Sequence, residues 1–318
     1  MLQSEPSKQD IIVAHERIRN QIHRTPILTS KALNSIFNCE LFFKCENLQK
    51  VGAFKFRGAI NAVLSLNNND LQKGVATHSS GNHAAALALA AKFQNIPAYI
   101  VMPRTAPQIK NAAVEGYNGK IVLCEPSLQS REETLLKVVE ETGSVFIHPF
   151  DNYSIIAGQA TCAKEIYEDL TDLDYIITPV GGGGLLSGTC LSTKYFSANT
   201  KVIGAEPIGA DDAFRSIRDG MIHPSVNPKT ICDGLLTQLS NKTFTIIRNN
   251  VSEIITVEEN SIKKAMRLIW ERMKIIIEPS SAVTLAVILE NKDRFASKRI
   301  ALILSGGNVD LDNLPWLK

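Results

Sequence analysis

Lys55 is the residue around which a chemistry can be read. It stands in Gly52-Ala53-Phe54-Lys55-Phe56-Arg57-Gly58, between the apolar run Leu41 to Phe43, which reads as a strand, and Arg57 to Leu66, which reads as a helix. The spacing predicts a lysine at a strand-to-helix corner, with Phe54 and Phe56 on the opposite face. An amine held beside aromatic rings loses hydration, which lowers its pKa and frees it to attack a carbonyl. An ordinary solvent-facing lysine is the alternative. A second chemical feature is Gly181-Gly182-Gly183-Gly184, which follows the strand ending near Thr178-Pro179-Val180 and precedes an apolar helix from Leu185. Free N–H groups and a helix N-terminus converge there, which makes an anion site; a tight turn is the structural alternative. Leu185-Leu186 stand where a nucleoside-triphosphate loop needs Lys-Ser/Thr, so that class is excluded.

Ser79-Ser80-Gly81-Asn82-His83 also joins a strand to a helix, and simple helix capping accounts for it equally well. Ser305 ends the apolar run Ile300 to Leu304 and is followed by Gly306-Gly307, so its hydroxyl can point into a cleft at the carboxyl end of a parallel sheet, or it is a plain turn serine. Glu278 precedes Pro279-Ser280 and fits a helix N-terminal carboxylate. Glu206 to Asp212 offers two hard oxygen ligands and a backbone carbonyl after a strand, with an acidic surface loop as the plainer account.

The elements that must position these residues alternate. Strands are expected at Gly74 to Thr77, Ala98 to Met102, Lys120 to Cys124, Val145 to Ile147, Tyr175 to Thr178, Lys201 to Ala205 and Ile300 to Leu304. Helices are expected at Ile11 to Ile22 with Asp10 as cap, Asn82 to Lys92, Pro107 to Val114, Leu128 to Glu141, Gly158 to Leu170 and Glu259 to Met273. Thr25-Pro26 stops the first of these, because the residue before proline is pushed out of the α region. Alternation of this kind predicts an α/β fold with mostly parallel sheets and helices on both faces. No proline-rich or glycine/serine-rich linker separates the blocks, so a discontinuous two-domain arrangement around a shared cleft is expected.

The 318 residues are 44% hydrophobic and 21% charged, an ordinary globular profile, with a formal net charge of +2. Basic residues are scattered, so neither a nucleic-acid nor a membrane partner is expected. The six cysteines lack any C-x-x-C pair and read as reduced core residues rather than a zinc or disulfide framework. Met1 to Asp10 is polar without an apolar leader segment, which predicts a cytoplasmic protein.

The Gly52 to Gly58 segment, Ser79 to His83 and Gly181 to Leu185 resemble, in chain order, three signatures of the fold-type-II pyridoxal 5′-phosphate enzymes, the serine/threonine dehydratase and serine racemase family. The resemblance runs from Arg24-Thr25-Pro26 to Ser305-Gly306-Gly307-Asn308-Val309-Asp310. It implies the two-domain fold of the tryptophan synthase β type, with residues 1–72 and 152–318 as a large cofactor domain and residues 73–151 as a small domain over the cleft. It implies that Lys55 carries the cofactor and acts as catalytic base. Gly181, Gly182, Gly183, Gly184 and Leu185 would hold the phosphate, Asn82 the ring hydroxyl, and Ser305 the pyridine nitrogen. The loop of Ser79, Ser80, Gly81, Asn82 and His83 would bind the substrate carboxylate, with Ser80 facing the cofactor opposite the lysine and His83 supporting rather than acting as base. A hydroxyl cannot protonate the pyridine nitrogen as an aspartate would, which favours elimination over reactions needing a long-lived carbanion.

The same resemblance assigns Glu206, Asp212 and the Ala210 carbonyl to a magnesium, manganese or calcium ion, Glu278 to the neighbourhood of the cofactor, and a homodimer as the assembly. The expected reaction is β-elimination from L-serine or L-threonine to a 2-oxo acid and ammonia, with serine racemisation beside it. The alternatives are a 3-hydroxyaspartate dehydratase, a β-replacement enzyme of the cysteine synthase type, and a non-catalytic amino-acid-binding or cofactor-storage protein. Phe150-Asp151 after His148-Pro149 departs from vertebrate-type racemases towards threonine dehydratases. The stretch after Asp310 is too short for the regulatory domain of biosynthetic threonine dehydratases, so feedback control by isoleucine is not expected.

Overall fold

Apolar runs buried on both faces are what parallel strands require, and the chain supplies them in two separate sheets. A computed structural model describes residues 1–106 and 108–316. The strands are β1 (Ile27–Thr29), β2 (Glu40–Cys45), β3 (Val75–His78), β4 (Ala98–Pro103), β5 (Lys120–Cys124), β6 (Val145–Phe146), β7 (Tyr175–Pro179), β8 (Lys201–Pro207), β9 (Glu253–Val257) and β10 (Arg299–Leu304). Six of them form one sheet in the order β1-β2-β10-β7-β8-β9, and four form a second in the order β5-β4-β3-β6. Among the paired strands of the described residues only β1–β2 is antiparallel; β10 lies between β2 and β7 with Ile300 opposite Leu41 and Tyr175.

Side chains along a strand alternate between faces, and β10 shows the consequence. Ile300, Leu302 and Leu304 pack with the helices Glu259–Met273 and Pro279–Glu290. Ala301 and Ile303 pack with the helices Tyr153–Asp169 and Gly184–Phe196 on the other face. The helix Lys55–Leu64 belongs to a third core: Phe56, Ala59 and Ile60 meet the alanine-rich helix Asn82–Phe93 and the inner residues Val75, Ala98 and Ile100 of the smaller sheet. Lys55 therefore sits where the two sheets' helices meet.

Several boundaries differ from expectation. The first helix runs Lys8–Ile18, and its cap is Ser7; Asp10 is the reciprocal partner in a capping box. The lysine helix begins at Lys55 itself rather than Arg57, and the helix expected from Gly158 starts at Tyr153, capped by Asn152. Pro107, the expected start of the next helix, lies outside the described residues; the helix spans Gln108–Gly116. Leu317 and Lys318 lie outside them as well. All six cysteines are buried with free thiols. No helix among the described residues is long and apolar enough to cross a membrane.

Candidate active site

Lys55 is the first residue of its helix, so its side chain leaves the helix N-terminus instead of joining the apolar face. Its Nζ donates to the Pro149 carbonyl at 3.2 Å and lies 5.2 Å from the Phe54 ring centroid. The expectation that both phenylalanines turn away is corrected for Phe54, which borders the amine; Phe56 is buried and meets Phe93 edge-on. Burial lowers the Lys55 pKa to about 8, although the Glu278 carboxylate pulls it the other way. An amine in that range is a nucleophile and a base near neutral pH.

The segment that holds Lys55 also covers the glycine loop. A methyl group on Gly182 would fall 2.3 Å from the Phe150 ring, so only glycine admits this close approach. Gly183 has φ +85°, the left-handed region, and caps the helix Gly184–Phe196. The loop N–H groups and the helix N-terminus form a backbone anion nest whose walls include Leu235. His148 braces the segment: its Nδ1 accepts from the N–H groups of Phe150 (3.2 Å) and Asp151 (2.8 Å), and burial lowers its pKa to about 4.

Ser305, only 3% exposed, follows β10 and is tied to the lysine segment by its own carbonyl, which accepts from Phe54 N at 3.0 Å. Its Oγ is 3.1 Å from Ser281 Oγ, which in turn donates to the Gly306 carbonyl at 2.7 Å and accepts from Gly306 N at 2.8 Å. Glu278 lies beside this turn. It accepts from Asn82 Nδ2 at 3.2 and 3.1 Å and from Asn308 N at 3.3 Å, while Asn308 Nδ2 donates to Asn82 Oδ1 at 2.9 Å. Burial first, and the charge of Asp233 second, raise the Glu278 pKa to about 7. Lys55, the glycine loop, Asn82, Glu278 and Ser305 thus form one connected wall. Ser281, Asn308 and the Pro149 carbonyl belong to it and carry no sequence signal of their own, since each acts through a partner distant in the chain.

Ser79, Ser80 and Gly81 follow β3 and precede the helix Asn82–Phe93; all three are partly exposed, and Gly81 faces open space on its side-chain side. His83 is buried, with Nε2 3.2 Å from the Ile147 carbonyl. An amine at a helix N-terminus, a backbone nest for a phosphate, and a hydroxyl at a strand end are the donor set that pyridoxal phosphate requires.

The Glu206 to Asp212 segment lies at the carboxyl end of β8, two strands from β10. The two Glu206 oxygens accept from Ala213 N (2.9 Å) and Phe214 N (2.8 Å). Both Asp212 oxygens are buried without a hydrogen-bond partner. Burial raises the pKa of Glu206 to about 9 and of Asp212 to about 6, the charge of Arg215 offsetting only part of the latter. No cluster of three or more His, Cys, Asp or Glu side chains among the described residues could hold a metal; the unpartnered Asp212 oxygens are the feature of this segment that a hard cation could engage.

A parallel α/β fold with a lysine at a helix start, facing a glycine nest, defines a class of cofactor-dependent enzyme. The chain belongs to the pyridoxal-phosphate dependent enzyme family, whose model matches residues 18–306. It is 53% identical over 311 residues to the β-hydroxyaspartate dehydratase of Paracoccus denitrificans (strain Pd 1222), covering 98% of this chain and 99% of that protein. Among solved structures, the serine racemase from Dictyostelium discoideum superimposes with a TM-score of 0.92 at 51% identity, covering 96% of this chain and 99% of that one. Maize serine racemase superimposes with a TM-score of 0.95 at 43% identity, covering 99% and 97%.

Proposed function

We propose that this enzyme dehydrates small 3-hydroxy amino acids, L-serine and L-threonine among them, to a 2-oxo acid and ammonia, and racemises serine at the same site. The observation that carries the reading is Lys55, with an amine of lowered pKa, held by Pro149 between the glycine nest and the Ser305 turn. Gly181 to Gly184, at the N-terminus of the helix Gly184–Phe196, with Leu185 would bind the phosphate, Asn82 and Ser305 would flank the ring, and Lys55 would carry the covalent link. When bound, pyridoxal phosphate supplies the electron sink for the negative charge that develops at the substrate Cα. The main chain of Ser79 to Gly81, with Asn82 and His83 behind it, holds the substrate carboxylate. Once the substrate amine has displaced it from that link, the freed Lys55 amine would take the α-proton, hydroxide would depart from Cβ with a proton, and the released unsaturated amine would be hydrolysed by water to the 2-oxo acid and ammonia. Ser80, on the opposite face, returns a proton when the product is D-serine.

The 53% identity to a β-hydroxyaspartate dehydratase supports 3-hydroxyaspartate as a second substrate. Residues 1–72 with 152–318 form the cofactor domain, and residues 73–151 the domain that closes over it; the four strands of the smaller sheet fall inside the latter range. Glu206, Asp212 and the Ala210 carbonyl hold magnesium, manganese or calcium, the partnerless Asp212 oxygens being the support for this. The working form is a cytoplasmic homodimer. Incubating the purified protein with each amino acid, and assaying 2-oxo acid together with enantiomer composition, tests the reading. Dehydration of serine or threonine with formation of D-serine is expected; incorporation of sulfide without net dehydration would assign a β-replacement enzyme instead.

A further inference from the structure

We infer that Lys242 is a positioning residue: it clamps residues 149–151 across the glycine nest, and so keeps the Pro149 carbonyl turned to Lys55 and the Phe150 ring over the nest. This role rests on the reading of Lys55 as the cofactor lysine and base. Lys242 Nζ donates to the Asp151 carbonyl at 3.2 Å, a contact between the helix Asn241–Asn250 and the stretch that holds the lysine.

The stretch lies between β6 and the helix Tyr153–Asp169 and is held by side chains instead of a strand ladder. The N–H groups of Phe150 and Asp151 go to Nδ1 of its own His148, and Pro149 has none to give. Those bonds shape the turn but tie it to nothing outside. The ties to the rest of the protein run through carbonyls: Ile147 lies 3.2 Å from His83 Nε2, Pro149 accepts from Lys55 at 3.2 Å, and Asp151 accepts from Lys242. The middle tie is not permanent, because in the proposed reaction Lys55 Nζ carries the covalent link and then moves the α-proton. When Lys55 releases Pro149, Phe150 and Asp151 are left with the Lys242 tie after them and the His83 tie before them.

Lys242 is placed for this by its helix. A capping box of Ser240 with Thr243 fixes the helix start, and Lys242 is its second residue. Thr243 and Ile247 of the same helix back the nest: a methyl on Gly183 would fall 2.9 Å from Thr243 Cβ and 2.8 Å from Ile247 Cδ1. Phe150 covers Gly182 and Gly184, where methyls would fall 2.3 and 3.0 Å from its side chain. One helix therefore backs the nest and, through Lys242, holds down the residues that cover it. The ammonium also lies 5.4 Å from the Tyr153 ring centroid and 3.6 Å from Asp151 Oδ1, a buried oxygen with no hydrogen-bond partner, so a ring and a carboxylate aim the lysine at this carbonyl. Burial is the main cause that keeps His148 neutral; Asp151 opposes it, and the charges of Lys55 and Lys242 add to it, which leaves Nδ1 bare for the two N–H groups.

Two substitutions separate this role from packing. Lys242→Met keeps the stem and removes the donor, whereas Lys242→Arg keeps a donor and the charge. Lys242 and Asp151 are partly exposed, so losing their contact should leave the melting temperature of the cofactor-free protein nearly unchanged. Expected for Lys242→Met is amide exchange at Phe150 and Asp151 faster by about threefold or more in the cofactor-free protein, with the amides of the helix Asn241–Asn250 unaffected. Lysine-linked cofactor absorbance should decay faster on dilution into cofactor-free buffer. The kcat should fall by about three- to tenfold with little change in KM, less than the roughly hundredfold cost of a full 1 Å misplacement. Lys242→Arg should stay within about twofold of the unsubstituted protein in each measurement, since a guanidinium also donates to a carbonyl. Unchanged exchange at Phe150 and Asp151 in Lys242→Met overturns the inference, as does equal loss in both variants, or a lowered melting temperature with exchange raised throughout the chain. If the unsubstituted protein releases no ammonia from any hydroxy amino acid, the proposed function fails, and exchange together with the absorbance decay then decides the role of Lys242.

Discussion

Arg57, two residues beyond Lys55, is fully buried, and its removal should be among the costliest single changes to stability. Its Nε donates to Glu46 at 2.8 Å, Nη1 to Glu165 at 2.8 Å and Thr161 at 3.1 Å, and Nη2 to Glu46 and Glu165 at 2.8 Å each. Lys44 Nζ donates to Glu165 at 2.6 Å, and all four charged side chains are 0% exposed. Two cations and two anions therefore cancel in a dry site that joins β2, the lysine helix and the helix Tyr153–Asp169. Arg57→Met leaves two buried carboxylates sharing one ammonium. Removing one partner of a buried pair costs about 3–5 kcal/mol, because the other charge stays in low dielectric uncompensated. Arg57→Met with Glu46→Gln restores neutrality with the Lys44–Glu165 pair intact, and should recover at least about 2 kcal/mol of that loss. Denaturant unfolding at fixed, saturating cofactor measures both, since cofactor binding adds to apparent stability by mass action. A cost below about 1 kcal/mol for Arg57→Met, or a double variant as unstable as the sum of its singles, would refute the charge-balance argument. The same network sets an acid limit. Burial opposes ionisation of Glu165, but His15, Arg57 and Lys44 outweigh it and hold its pKa well below the ordinary carboxylate value. A depressed carboxylate contributes stability that is complete above its unfolded pKa, about 4.3, and lost as pH falls towards the folded value. Stability should therefore decline below about pH 4.3, and less steeply in Glu165→Gln.

Ser80→Ala should remove racemisation and elimination from D-serine while leaving part of the elimination from L-serine; solvent deuterium at Cα of recovered serine reads this, and D-serine formed at the unsubstituted rate would reduce Ser80 to a loop residue. Chelation should lower the melting temperature, and magnesium, manganese or calcium at a hundredfold excess over its Kd should restore it, adding about 2.7 kcal/mol to the unfolding free energy. Asp212→Ala should abolish that response, and an unchanged melt with chelator would leave the acidic segment an ordinary loop. Gly182→Ala, which sets a methyl 2.3 Å from the Phe150 ring, should weaken cofactor binding by roughly 5- to 150-fold, given about 1–3 kcal/mol for overpacking; spectroscopic titration with cofactor gives the number.

The parts of the fold legible in the sequence were those with a periodic apolar signal. Eight strands and the helices between most of them were readable because each is an apolar run bounded by turns. Of the helix Pro279–Glu290 only the start at Glu278 was readable; its extent escaped because it is buried on nearly every side and has no polar face to reveal its period. Ile27–Thr29 and Glu253–Val257 are short edge strands, recognisable only once β2 and β8 are beside them. In the site, Lys55 and the four glycines were legible because they stand near the starts of helices that follow strands, and Ser305 because it follows an apolar strand. Ser281, Asn308 and the Pro149 carbonyl were not, since their partners lie elsewhere in the chain. The charge network was equally silent: Glu165 is 121 residues from Lys44 and 108 from Arg57, and no spacing rule spans that separation.

The most direct measurement is the Lys55→Ala enzyme assayed beside the unsubstituted protein, with the near-ultraviolet and visible spectrum and ammonia release from L-serine recorded on the same samples. The account predicts a yellow protein that turns over L-serine, and a Lys55→Ala variant that is folded but has lost both the covalent cofactor absorbance and all detectable turnover. Undiminished ammonia release from Lys55→Ala would contradict it.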